Sequence, residues 1–189
     1  MVNVMSNAGL DDQVALARGR ELISMAVPLI TPSDAPIFVN LLCEYCSVSS
    51  TIEAAIFEAI CSVLKQVAHF LSVKDLSRVF WCFGQTRSHP SESWLSEQAL
   101  SLLGHDRNVD QNAIANFFHC FSGGHEFPLS DELGCLLLSK ANQALHLFSG
   151  DQLVKGLDVC RVAHIDHTIG GTFLSMVCES LPGRLKSGM

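Results

Sequence analysis

A chain of 189 residues that is 48% hydrophobic and 16% charged is too apolar for disorder along its length, and long enough for one compact domain or one short solenoid. Its net charge of −7, with 12 scattered Lys and Arg, argues against a general polyanion binder, because such affinity comes from basic residues that release counterions. A mean hydropathy of +0.29 suggests apolar surface covered by partners, yet no apolar run reaches the roughly 18 residues that cross a bilayer.

Residues 1–11 are mostly small or polar and are expected to be flexible. The first basic residue is Arg18, and Asp11 and Asp12 make the start a poor match to an Arg-rich transit peptide. Val14, Leu16, Ala17, Leu22, Ile23 and Met25 predict a helix over residues 12–27, entered through Asp11 or Asp12 and ended by Pro28. A linker with Pro28, Pro32 and Pro36 follows, which no continuous helix can cross, so residues 12–35 read as an N-terminal helix and a Pro-rich connection. Residues 36–181 read as helices in pairs. The first pair spans 36–47 and, capped by Ser49, Ser50 or Thr51, a segment running to about Phe70. The second spans 74–85 and 91–103, the third 110–121 and 130 to about 147, and the fourth 150–162 and 166–181. The segment 182–189 is expected to be a flexible tail. With no sustained period-2 alternation, the predicted class is all-α.

The pairs are related to one another. Leu76, Phe80, Cys82 and Phe83 lie 38 residues before Ile114, Phe118, Cys120 and Phe121. The same shift upstream aligns Phe38, Leu41 and Leu42 with Leu76, Val79 and Phe80; a shift of 39 downstream aligns Leu153 and Leu157 with Ile114 and Phe118. Leu64 matches Leu102, Leu95 matches Leu133, and Pro90 matches Pro128 in the connecting turn. A fixed period of this length is the mark of stacked repeats, each exposing a face that only its neighbours can bury. The expected architecture is a right-handed α-solenoid of four helix pairs of about 38 residues, preceded by one helix. An ordinary bundle whose similar helix lengths imitate a repeat is the alternative.

The second unit, with Ser72 and Asp75 ahead of Leu76, the aromatic-rich segment Val79, Phe80, Trp81 and Phe83, and a turn carrying Pro90, Trp94 and Leu95, resembles an octotricopeptide or heptatricopeptide repeat. Proteins with a FAST-kinase-like helical region are similar. The resemblance spans residues 36–181; the fourth unit departs from the pattern in lacking both the Trp and the turn Pro. It implies a mitochondrial or chloroplast RNA-associated protein, a structural component of an organellar ribosome among them. Many such proteins carry a C-terminal RAP domain, for which nothing after the fourth pair provides, and the associated cleavage activity is not expected.

In such solenoids the first helices line an inner surface, and the period relates their polar positions. Arg78 gives the series Asn40, Arg78, Asn116 and Lys155; one turn earlier stand Pro36, Lys74, Asn112 and Asp151, and one turn later Cys43, Trp81, His119 and Asp158. Amides can read base edges, and Arg or Lys can hold phosphate or stack. Asn40, Lys74, Arg78, Asn112, Asn116 and Lys155 are therefore the candidate RNA-binding residues. The competing reading is that every helix pair has a solvated face and a repeat places it periodically; Asp151 and Asp158 beside Lys155 would also repel phosphate.

Other motifs carry less. Of eight cysteines, seven lie in apolar helical segments where Cys acts as a small core residue, and without a secretory signal reduced thiols are expected. Cys43 and Cys46 form a lone CxxC that would need a second ligand pair for zinc. Cys160, His164 and His167 have helical spacing but sit over a hundred residues away. His119 and Cys120 point about 100° apart on a helix and cannot act as base and nucleophile. Glu53, Glu58, Asp131 and Glu132 suit the start of second helices, where carboxylates meet the helix dipole. Gly123-Gly124 and Gly170-Gly171 lack phosphate-loop spacing. No catalytic residue, metal, cofactor or small-molecule substrate is implied. The expectation is a non-enzymatic component of a mitochondrial RNA–protein assembly, touching organellar RNA such as rRNA and neighbouring proteins. The alternative is a protein–protein scaffold, an accessory subunit of a respiratory or ATP-synthase complex.

Overall fold

The computed structural model describes residues 14, 17–88, 90, 93–106, 109–122, 129–163 and 167–185, with the backbone path alone for 167–169 and 180–185. Among them the protein is all-α, with nine helices packed together and no strand. They are α1 (17–26), α2 (Ala35–Val48), α3 (Ala54–Val67), α4 (Val73–Thr86), α5 (Trp94–His105), α6 (Gln111–Phe121), α7 (Asp131–Gln143), α8 (Gly150–Val162) and α9 (His167–Leu185).

Helix starts follow side chains that satisfy orphan N–H groups of the first turn. Ser72 accepts from the Asp75 N–H at 3.1 Å and donates to its carboxylate at 2.7 Å. Asp110 accepts from the Asn112 N–H at 3.2 Å. Ser149 and Gln152 cap one another: the Gln152 N–H donates to the Ser149 hydroxyl at 3.3 Å and the Ser149 N–H to the Gln152 side chain at 2.8 Å. Together with Asp34 ahead of α2, the N-caps of α2, α4, α6 and α8 are residues 34, 72, 110 and 149. The period seen in the apolar residues recurs in the caps.

α2, α4, α6 and α8 lie side by side in that order, and α5, α7 and α9 do the same. The two rows meet through α4 on α5, α6 on α7, α7 on α8 and α8 on α9. The apolar residues aligned by the repeat form the core: Leu76, Phe80, Cys82 and Phe83 are buried, and so are Ile114, Phe118, Cys120 and Phe121. Phe80 meets Phe117 and Phe121 at ring-centroid distances of 4.7 and 5.5 Å. Phe118 meets Phe148 and Phe173 at 6.0 and 6.2 Å. The contact of α4 with α6 is the most extensive between described helices. It depends on Gly84, where a Cβ would stand 2.7 Å from the Cys120 Cα.

Several boundaries differ from the sequence expectation. α3 starts at Ala54 with Glu53 as its N-cap residue, not at Ser49, Ser50 or Thr51. The Ser49 hydroxyl is engaged in a local turn, donating to the Thr51 carbonyl at 2.5 Å. Glu53 forms an ion pair with Arg20 of α1, and Glu58 lies in the second turn, not the first. The Pro-rich connection contains two short 3-10 turns, Val27–Leu29 and Pro32–Asp34. α3 and α7 end earlier than expected and continue as the 3-10 turns Ala68–Phe70 and Leu145–Leu147. α9 runs past Leu181 to Leu185, through Pro182, whose missing N–H removes a single bond within the last turn. Gly170 and Gly171 lie inside that helix. Residues 1–11, His164, Asp166, Gly123, Gly124 and Pro128 lie outside the described residues.

Candidate functional site

The six polar candidates all fall on one row of helices: Asn40 on α2, Lys74 and Arg78 on α4, Asn112 and Asn116 on α6, and Lys155 on α8. Two of them touch. The Arg78 guanidinium donates from Nη1 to Asn40 Oδ1 at 2.6 Å, and Asp75 stands 3.8 Å from the same nitrogen. Asn116 reaches α4 one residue off the series, donating from Nδ2 to the Ser77 hydroxyl at 3.3 Å. Ser77 is buried and in turn donates to the Lys74 carbonyl at 2.8 Å. Lys155 pairs with Asp151 of its own helix at 2.9 Å, while Asp158 pairs with Arg161 at 3.5 Å. Lys74 and Asn112 are exposed. The series is thus one face with local pairings, not a single connected network.

Around it opens a cleft of about 260 Å³ shared by α4, α6 and α8. Trp81 lines it from α4, Asn116 and His119 from α6, and Asp151, Gln152 and Lys155 from α8. The Trp81 indole and His119 imidazole stack with centroids 6.3 Å apart and planes 30° from parallel. The cleft therefore combines an aromatic platform, an amide and an ammonium already paired with the Asp151 carboxylate, a lining that suits a planar polar group. Trp81 and His119 belong to the row one turn later than the expected series. Gln152 was not among the candidates; its side chain lies there because it caps α8.

A second cluster joins α2 to α4. The Cys82 thiol donates to Cys43 Sγ at 3.5 Å and also contacts the Cys46 thiol. The hydrogen bond from Cys82 lowers the Cys43 pKa to about 7 against partial burial, helped by Arg78 and opposed by Glu44. The same contacts, first with Cys43, then with Cys46, and then burial hold the Cys82 thiol well above its ordinary range. Burial raises Cys120 likewise, and Cys160 to about 11. All eight cysteines are free. The CxxC is visible in the sequence, whereas its third member, Cys82, is not marked by a motif and lies 39 residues from Cys43. Among the described residues, no group of three or more His, Cys, Asp and Glu is placed to hold a metal ion, and no helix is long and apolar enough to cross a membrane. The side chains of His164 and His167, suggested beside Cys160, lie outside the described residues.

No family model, curated protein or solved structure matches the chain.

Proposed function

We propose that this chain is a non-enzymatic helical-repeat protein, a right-handed α-solenoid of four helix pairs, that binds single-stranded RNA within a mitochondrial RNA–protein assembly, as a ribosome component would. The observation that carries this reading is the cleft in which Trp81 stacked on His119 is flanked by Asn116 and Lys155. An unstacked base can lie on the aromatic platform and the amide can meet its edge; Lys155, on exchanging Asp151 for a phosphate, can hold the backbone, with Arg78 and Lys74 of α4 beyond the cleft on the same row of helices. The repeating caps and the ordered contact of α2, α4, α6 and α8 support the solenoid; the resemblance to organellar repeats supports the location. Four units would contact only a few nucleotides.

Binding of a short labelled single-stranded RNA to the purified chain tests it, with Arg78→Glu combined with Lys155→Glu as the variant. Affinity is expected to fall at least tenfold, and the log–log salt slope to lose about 1.4, two phosphate contacts at roughly 0.7 each. Unchanged binding, with the helical circular-dichroism signal intact, would reduce this face to a solvated one.

A second reading, a protein–protein scaffold in a respiratory or ATP-synthase complex, draws on the exposed apolar side chains Leu29 (75% exposed) and Ile37 (66%) and on the net charge of −7. A groove of about 320 Å³, with Phe57 and Trp94 among its lining, adds to it. Purification from the native source separates the two. Ribosomal RNA in the isolate supports the first; respiratory or ATP-synthase subunits without RNA support the second and sink the first.

A further inference from the structure

We propose that Cys43 and Cys82 are a thiol-oxidation site: a peroxide attacks at Cys43, and the product closes to a reversible disulfide between α2 and α4. The sulfur pair carries this site whether or not RNA binds, although Arg78 faces Cys43 and also belongs to the polar series. The two sulfurs are 3.5 Å apart across helices that pack directly on one another. A disulfide needs about 2.05 Å, a closure of about 1.5 Å from the reduced pair.

Access and charge divide the roles. Cys43 is half-buried, open to a small oxidant, whereas Cys82 and Cys46 are buried. Facing Cys43 from α4 are the Arg78 guanidinium and the Cys82 thiol; Glu44 adjoins it on α2. With its pKa at about 7, Cys43 is about half thiolate at neutral pH, and the thiolate is the species that reacts. Cys82 keeps its proton. In the first step the Cys43 thiolate attacks one oxygen of hydrogen peroxide, the O–O bond breaks, and with one proton from solvent the products are a sulfenic acid and water. In the second Cys82 passes its proton to the sulfenic oxygen of Cys43 as its sulfur, thereby a thiolate, attacks Cys43 Sγ. The S–S bond forms, the S–O bond breaks, and the departing hydroxyl leaves as water with the Cys82 proton. Peroxide is reduced and the two thiols are oxidised by two electrons in all; an external dithiol reverses it. Cys46, in contact with Cys82, is not required.

The test uses the reduced full chain, equimolar hydrogen peroxide, alkylation and non-reducing peptide mapping. Cleavage after Glu44 separates Cys43 from Cys46, while trypsin releases Cys82 in Val79–Arg87. The expected result is a Cys43–Cys82 linked peptide, lighter by two hydrogens than its parts, lost on adding dithiothreitol. It is retained in Cys46→Ala and absent in Cys43→Ser. On the unmodified chain, alkylation of Cys43 should rise with a midpoint near pH 7, moving upward in Arg78→Gln. A Cys43 that stays reduced, goes to sulfinic acid without linkage, or links to Cys46 instead would overturn the assignment. So would an alkylation midpoint at about 8.5, the ordinary thiol value.

Discussion

Gly84 shows how much one missing side chain can decide. Its hydrogen lets α4 approach the α6 backbone, and an added methyl would stand 2.7 Å from the Cys120 Cα. Because that neighbour is main chain, relief requires moving a helix. Gly84→Ala is expected to destabilise by about 1–3 kcal/mol despite its better helix propensity, read from urea unfolding. Tyr45 is the opposite case. Its hydroxyl is buried with no hydrogen-bond partner among the described residues, so Tyr45→Phe should be neutral or stabilising by up to about 1 kcal/mol in the same assay. The thiols set a pH dependence whose sign can be worked out. Cys43 has a folded pKa of about 7, below its unfolded value, so it contributes stability above the unfolded value that is lost as pH falls through 7. Cys82, Cys120 and Cys160 are shifted upward. Unfolding lets them ionise above about pH 8.5, so stability falls as pH rises beyond it. Cys120→Ala should make that alkaline fall shallower, as measured by unfolding at a series of pH values.

At the scale of elements, the first-row helices were legible in the sequence to within a residue or two, because apolar spacing and capping residues agree there. Val73–Thr86 and Gly150–Val162 begin directly after Ser72 and Ser149, and each of those caps is worth about 1 kcal/mol on replacement by Ala. Ser72→Ala should lower the unfolding midpoint accordingly, whereas Ser49→Ala should leave the start of α3 in place. The boundaries of α3 and α7 were less legible. Ser49, Ser50 and Thr51 all look like caps, and only the turn that consumes the Ser49 hydroxyl moves the start to Ala54. The 3-10 endings of α3 and α7 carry apolar residues that continue the helical pattern, so hydrophobic spacing alone cannot find them. Of the candidate site, sequence periodicity placed the residues on one face. It could not supply the pairings of Arg78 with Asn40 or of Lys155 with Asp151, which depend on side-chain rotamers. It also passed over Cys82 as the partner of Cys43, because a shift of 39 and not 38 brings the two together.

For the whole molecule, the ordering of contacts matters more than any single pair. Each first-row helix rests on the next, and the seam between α4 and α6 is the broadest. It is also the most aromatic, with Phe80 held against Phe117 and Phe121. In the proposed solenoid the ends can be lost without the middle, since each unit of a repeat array leans only on its neighbours. Native-state hydrogen exchange should therefore find the slowest amides in Phe80–Phe83 and Phe117–Cys120, with α1 and α9 exchanging through separate, cheaper openings. The absent methyl of Gly84 would then set the lifetime of the last structure to dissolve: a single hydrogen atom, placed where two backbones meet, governs how long the centre of the chain stays closed.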